Sequence, residues 1–176
     1  MSTRICIIAG EVSGDQHAAA LVSALQRRCP DLECFGTGGE RMRACGVDTL
    51  YDIRELAVMG ISEVLRRYGF FRKMFRHLCT ELDQRKPDAV VLVDYPGFNL
   101  RFAAQAHFRG IKVIYYISPQ VWAWKQSRIP KMAKVIDHLL TIFPFEARHF
   151  ANTGLPVTFV GHPLIDELHR NPIPAA

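Results

Sequence analysis

The 176-residue sequence predicts an α/β protein built on a doubly wound parallel sheet. Three observations carry that prediction. Short apolar runs without polar alternation, Arg4 to Ala9 and Ala89 to Val93 above all, read as strands buried on both faces. Stretches of helical periodicity separate them, so strand and helix alternate along the chain. The side chains suited to chemistry fall just after the strands, on the rim where such a sheet gathers its ligands.

The first strand, Arg4 to Ala9, runs into Gly10-Glu11-Val12-Ser13-Gly14-Asp15. Two glycines there allow a sharp turn and a close approach of backbone to a ligand. From Gln16 the pattern is helical, with Ala18, Leu21, Val22 and Leu25 on one stripe and Ser13 or Asp15 as its cap. Gly-x-x-x-Gly lacks the spacing of the dinucleotide fingerprint. A second strand, Leu32 to Gly36, enters the turn Thr37-Gly38-Gly39, and Thr49 to Asp52 is a weaker third. Glu55 to Gly60 fits a loop and a helical turn equally. Residues 61 to 82 read as helix with a break near Gly69.

Lys86-Pro87-Asp88 turns the chain into the strand Ala89 to Val93, which ends on the carboxylate of Asp94. Tyr95 to Asn99 reads as a turn, Leu100 to Arg109 as helix and Lys112 to Ile117 as strand. Ser118-Pro119-Gln120-Val121-Trp122-Ala123-Trp124 follows, then a short basic helix from Arg128 to Val135. Leu139 to Ile142 is a strand, Phe143-Pro144-Phe145-Glu146 opens a helix, and Val157 to Val160 precedes Gly161-His162-Pro163. Residues 1–170 form one domain on this reading. Residues 171–176 are a tail or the start of a linker to a second domain.

Composition narrows the class. With 49% hydrophobic and 22% charged residues the chain folds, and its formal charge of +5 favours phosphate-bearing partners. No apolar run approaches the ~20 residues that span a bilayer, and the amino-terminal run is too short for a signal peptide. A cytoplasmic address follows as the default. Five scattered cysteines form no C-x-x-C pair and read as reduced thiols. His, Cys and acids show no metal spacing, so neither a bound metal nor a cofactor is expected.

With these loops in view, the chain resembles the amino-terminal half of lipid-A-disaccharide synthase, a family of inverting glycosyltransferases. The matching stretches are Ala9 to Asp15, Gly36-Thr37-Gly38-Gly39, Asp94-Tyr95-Pro96-Gly97-Phe98-Asn99, Ile117 to Trp124, Phe143 to Glu146 and Val160-Gly161-His162-Pro163. The resemblance implies a Rossmann-like domain, the first of two in a GT-B type enzyme, with most UDP contacts in the second. It implies transfer of 2,3-diacylglucosamine from UDP to 2,3-diacylglucosamine 1-phosphate, giving lipid A disaccharide 1-phosphate. Two other readings stand beside it: a non-catalytic module that binds a phosphorylated lipid, and a soluble nucleotide-binding domain with a nucleic-acid face. Against the last, the aromatics lie on an amphipathic helix rather than across a sheet.

Inverting transfer needs a base for the acceptor hydroxyl and stabilisation of the leaving phosphate. Asp94 is the first candidate base, with capping of the next helix as its structural alternative. Glu11 and Asp15 are weaker candidates. Ser13, Gly14, Gly38, Gly39, Asn99, Ser118, Gln120, Trp122 and Trp124 are candidate substrate contacts, although tryptophans beside a strand are more often core. Glu146 reads as a helix opener and His162 as structural. The helix around residues 61–78 sets Phe70, Phe71, Met74 and Phe75 among Arg67, Arg72 and Lys73. That pattern fits a core-packed helix with a solvated face, and fits a helix lying on an anionic membrane better; the lipid substrates of the resembled family give the second reading a purpose, and with it a peripheral place on the inner membrane.

Overall fold

The computed structural model describes residues 2–56 and 68–170. Arg67, the expected helix before Tyr68 and the tail at 171–176 lie outside them. In chain order the elements begin with β1 (Arg4–Ala9), α1 (Val12–Gln26), β2 (Glu33–Gly38), α2 (Glu40–Ala44), β3 (Asp48–Asp52) and α3 (Ile53–Leu56). Then come α4 (Tyr68–Arg85), β4 (Ala89–Val93), α5 (Pro96–Phe108), β5 (Lys112–Tyr116) and α6 (Val121–Trp124). A 3₁₀ turn (Gln126–Arg128), α7 (Ile129–Val135), β6 (His138–Thr141), a second 3₁₀ turn (Glu146–Phe150), β7 (Val157–Phe159) and α8 (Pro163–Arg170) complete them.

Seven strands form one sheet in the order β3-β2-β1-β4-β5-β6-β7, and every pairing is parallel. Alternate residues of β1 enter different cores. Cys6 and Ile8 join a cluster with Met74, Leu78 and Leu82 of α4, Phe102 and Ala106 of α5, and Met132 of α7. Ile5, Ile7 and Ala9 pack on the opposite face with Ala18, Ala19 and Val22 of α1 and Met42 of α2. Burial on both faces is why β1 and β4 carry no polar alternation.

Several boundaries differ from the expected ones. β2 continues to Gly38, because Gly38 still pairs with Asp52. The weak third strand is a full member of the sheet. α4 includes Gly69, and the stretch before Tyr68, where the chain would meet the expected break, lies outside the described residues. α5 starts at Pro96 rather than Leu100: proline's fixed φ suits the first helical turn, and the Asn99 N–H donates to the Tyr95 carbonyl at 3.1 Å. The helix expected at Phe143 is a 3₁₀ turn.

Candidate active site at the β1–β4 crevice

Connections leave β1 and β4 towards opposite edges of the sheet, so a crevice opens at their carboxyl ends. β1 delivers Gly10 and Glu11 there, and β4 delivers Asp94 and Tyr95. Helices α1 and α5 also begin there, which adds unpaired N–H groups and the positive ends of two dipoles.

The turn out of β4 is unusual. Asp94 and Tyr95 both have left-handed backbones, with φ of +44° and +48°, and Ile117 at the end of the neighbouring β5 has φ of +64°. Such backbones cost residues other than glycine about 1–2 kcal/mol each. Gly10 is required for a different reason. A Cβ at that position would stand 2.4 Å from the Tyr95 ring.

Asp94 is half-buried. Burial chiefly, and then the nearby Glu11 carboxylate, push its pKa up, against a hydrogen bond from the Tyr95 N–H. Glu11 is exposed and accepts a 2.6 Å hydrogen bond from the Ser13 hydroxyl. Two carboxylates thus share one rim in unlike surroundings, one partly dry and one wet, which suits them to different chemical roles.

A groove of about 970 Å³ runs from this rim between α4 and α5. Gly10, Glu11 and Tyr95 form its head, and Phe71, Phe75, Cys79 and Phe98 much of its apolar wall. Phe75 packs edge-on against Phe98 at 5.5 Å and Phe102 at 6.0 Å, which ties the wall to the core. Arg72, Arg76 and Arg101 also line it and make no ion pair among the described residues. Further along, Arg109 pairs with Asp83 at 2.7 Å. Rings and guanidinium groups lining one groove fit a molecule that is part hydrocarbon and part anion.

The model of the family described as lipid-A-disaccharide synthetase matches residues 5–175. The chain belongs to that family. It is 49% identical over 168 residues to lipid-A-disaccharide synthase 1 of Legionella pneumophila, covering 95% of this chain and 44% of that protein. It is 47% identical over 167 residues to the lipid-A-disaccharide synthase of Geobacter sulfurreducens, with the same coverage. The chain therefore spans less than half the length of these relatives. In fold it is similar to S. aureus MnaA in complex with UDP, at a TM-score of 0.68 and 17% identity over 95% of this chain and 46% of that one. MurG of Acinetobacter baumannii is similar at 0.55 and 16%, over 92% and 46%. The Rossmann-like fold expected for the lipid-A-disaccharide synthetase family is the one found.

The structure redistributes the expected site residues of this family member. Asp15 caps α2 and not its own helix. Its carboxylate accepts the N–H groups of Gly39 at 2.6 Å, and of Arg41 and Met42 at 3.1 Å each. Gly39, with its N–H so occupied, and Gly38 are buried, and Gly14 is buried against Ala9. Asn99 is fully buried, so its amide reaches the Val93 and Asp94 carbonyls rather than a sugar. Ser118 is buried with its hydroxyl turned back to the Pro119 carbonyl, whereas Gln120 is exposed beside α6, the helix that carries Trp122 and Trp124. Glu146 is buried and accepts the Ile142 and Phe143 N–H groups, and His162 Nδ1 accepts the Leu164 N–H.

Met74 is a core residue, 1% exposed, and does not face outwards. Phe70, Phe71 and Phe75 are half-buried against the same core, while Arg72 and Lys73 are exposed. Among the described residues no helix is long and apolar enough to cross a membrane, and no three His, Cys, Asp or Glu side chains gather as a metal site. Sequence reasoning missed Tyr95, Arg101 and Tyr115. Phe98, Arg101 and Gln105 at helical spacing would have marked the α5 wall, had that helix been started at Pro96.

Proposed function

We infer that this chain is the acceptor-side half of an inverting glycosyltransferase that moves 2,3-diacylglucosamine from UDP to 2,3-diacylglucosamine 1-phosphate. The observation that carries this reading is Asp94: a half-buried carboxylate with a raised pKa beside a groove lined by rings and by Arg72, Arg76 and Arg101, which have no ion pair among the described residues. In this reading the acceptor's acyl chains lie along Phe71, Phe75 and Phe98, and its phosphate pairs with Arg72, Arg76 or Arg101. Asp94 takes the proton of the acceptor hydroxyl as its oxygen attacks the anomeric carbon. The bond from that carbon to UDP breaks on the opposite side, and UDP leaves with the electron pair. A raised pKa suits a base that works near neutral pH.

The companion half supplies most of the UDP contacts, so this chain alone turns over little substrate. The exposed Arg72, Lys73 and Arg76 hold it against the anionic inner membrane from the cytoplasmic side, without a spanning segment. The test joins this chain to a companion half from the family and replaces Asp94 by Asn. Turnover should fall ~10²–10⁴-fold, the usual worth of a general base, with substrate binding retained. Near-full turnover in the variant would remove Asp94 from the chemistry.

A further inference from the structure

Four unfavourable features meet at one carboxylate. Asp94 and Tyr95 are left-handed in succession. Ile117, a β-branched residue for which that conformation is a marked outlier, is left-handed on the adjacent strand. Asn99 is wholly buried, and its Oδ1 has no hydrogen-bond partner among the described residues. A fold that needed only a strand-to-helix turn would place glycine at these positions and a smaller apolar residue at 99. Strain that persists in one place is a sign of function.

Two side-chain donors hold the strained step. The Tyr115 hydroxyl donates to the Asp94 carbonyl at 2.6 Å, and Asn99 Nδ2 donates to the same oxygen at 2.7 Å. Asn99 reaches the Val93 carbonyl as well, at 3.2 Å, and the Asp94 N–H donates to the Tyr116 carbonyl at 3.2 Å. The backbone of Asp94 is thereby fixed from β5 and from α5 at once, while its carboxylate, which accepts the Tyr95 N–H, lies near Glu11. Tyr115 is fully buried, so its hydroxyl is not in contact with solvent.

We propose that Tyr115 and Asn99 are positioning residues for the base: together they hold the left-handed Asp94–Tyr95 step, which keeps the Asp94 carboxylate on the rim near Glu11, next to the groove that Tyr95 lines. This rests on the reading of Asp94 as base. Without the anchors the step relaxes, the carboxylate swings towards water, and the desolvation that raises its pKa is lost. The charged and titratable groups around it are Glu11 from the β1–α1 turn, Tyr95, and Tyr115, itself near Arg128.

The experiment follows Asp94 by carbon NMR titration in this chain, and kcat and KM in the joined two-half enzyme, for wild type, Tyr115→Phe and Asn99→Ala. Tyr115→Phe removes one oxygen and keeps the ring. Each variant should lower the Asp94 pKa, shift the acid limb of the kcat profile to lower pH, and reduce kcat ~10-fold or more. KM should stay within about twofold, because the groove walls are untouched. A folded Tyr115→Phe or Asn99→Ala chain in which Asp94 titrates as before, with kcat unchanged, overturns the proposal. So does the unfolding of both, which would make the two groups structural. If Asp94→Asn itself leaves turnover intact, the base assignment fails instead, a result distinguishable from either of these.

Discussion

The Asp15 carboxylate lies 2.6 Å from the Gly39 N–H, a contact that ties the first turn of α1 to the end of β2. The same two oxygens accept two further N–H groups from the start of α2. Asp15 is 4% exposed, so those three donors have little access to water when the carboxylate is removed.

Asp15→Ala should therefore cost about 3 kcal/mol, or roughly 6–12 °C in melting temperature for a chain of this size. Calorimetry checks it. A shift below about 2 °C would mean that water replaces the carboxylate without penalty.

Asp94 gives a pH-dependent stability of predictable sign. Its folded pKa is raised, so the folded chain holds the proton more tightly than the unfolded one. The stabilising contribution is full below the unfolded value of about 3.9 and is lost as pH rises through the folded value. Asparagine cannot ionise, so Asp94→Asn should be more stable than wild type near pH 8, with the difference fading towards about pH 4. Urea midpoints at the two pH values decide it. Equal midpoints near pH 8 would show that the ionised carboxylate is not desolvated.

Phe75 is engaged with Phe98 and Phe102, so changing rings on α4 would confound membrane binding with stability. The exposed arginines separate the two. Arg72→Gln with Arg76→Gln should weaken sedimentation with anionic vesicles by about 2 kcal/mol, ~30-fold, at low salt. The melting temperature should hold, since neither side chain has an ion pair among the described residues. Unchanged sedimentation would place the membrane contact elsewhere.

Four of the five thiols should separate by reactivity. Burial pushes Cys6 far above the ordinary thiol range and Cys34 to about 11, and it raises Cys79 as well. Cys29 is exposed. Since the thiolate is the reactive species, iodoacetamide should label Cys29 first and the other three only after denaturation. Mass spectrometry of partly labelled protein reads the order. Early labelling of Cys6 would contradict its place inside the sheet.

Much of the fold was legible because both faces of β1 and β4 are buried, which leaves an apolar run that only a central parallel strand explains. The rim was legible for the same reason, since Glu11 and Asp94 come directly after those runs. What one sequence hides is how a polar side chain on the rim is used. Asp15 and Asn99 look like ligands because they are polar, yet backbone groups 24 and 5 positions away claim them. The apolar stripe of α4 misled similarly at Met74. Helical periodicity marks an apolar face, but packing decides whether Met74 meets water, lipid or Leu78.

The order of the strands in space has a consequence for how the chain is made. β1 pairs with β2 as soon as residue 38 is available, but its other edge waits for Val93. At ordinary rates of synthesis that gap is roughly 3–10 s, long compared with the microseconds in which a short chain collapses. During that interval the N–H and C=O groups along Ile5 to Ala9 on that side form an open, apolar edge, the kind most apt to pair with another nascent chain. A chaperone that covers this edge until β4 emerges should raise the yield of folded protein more than one acting after release.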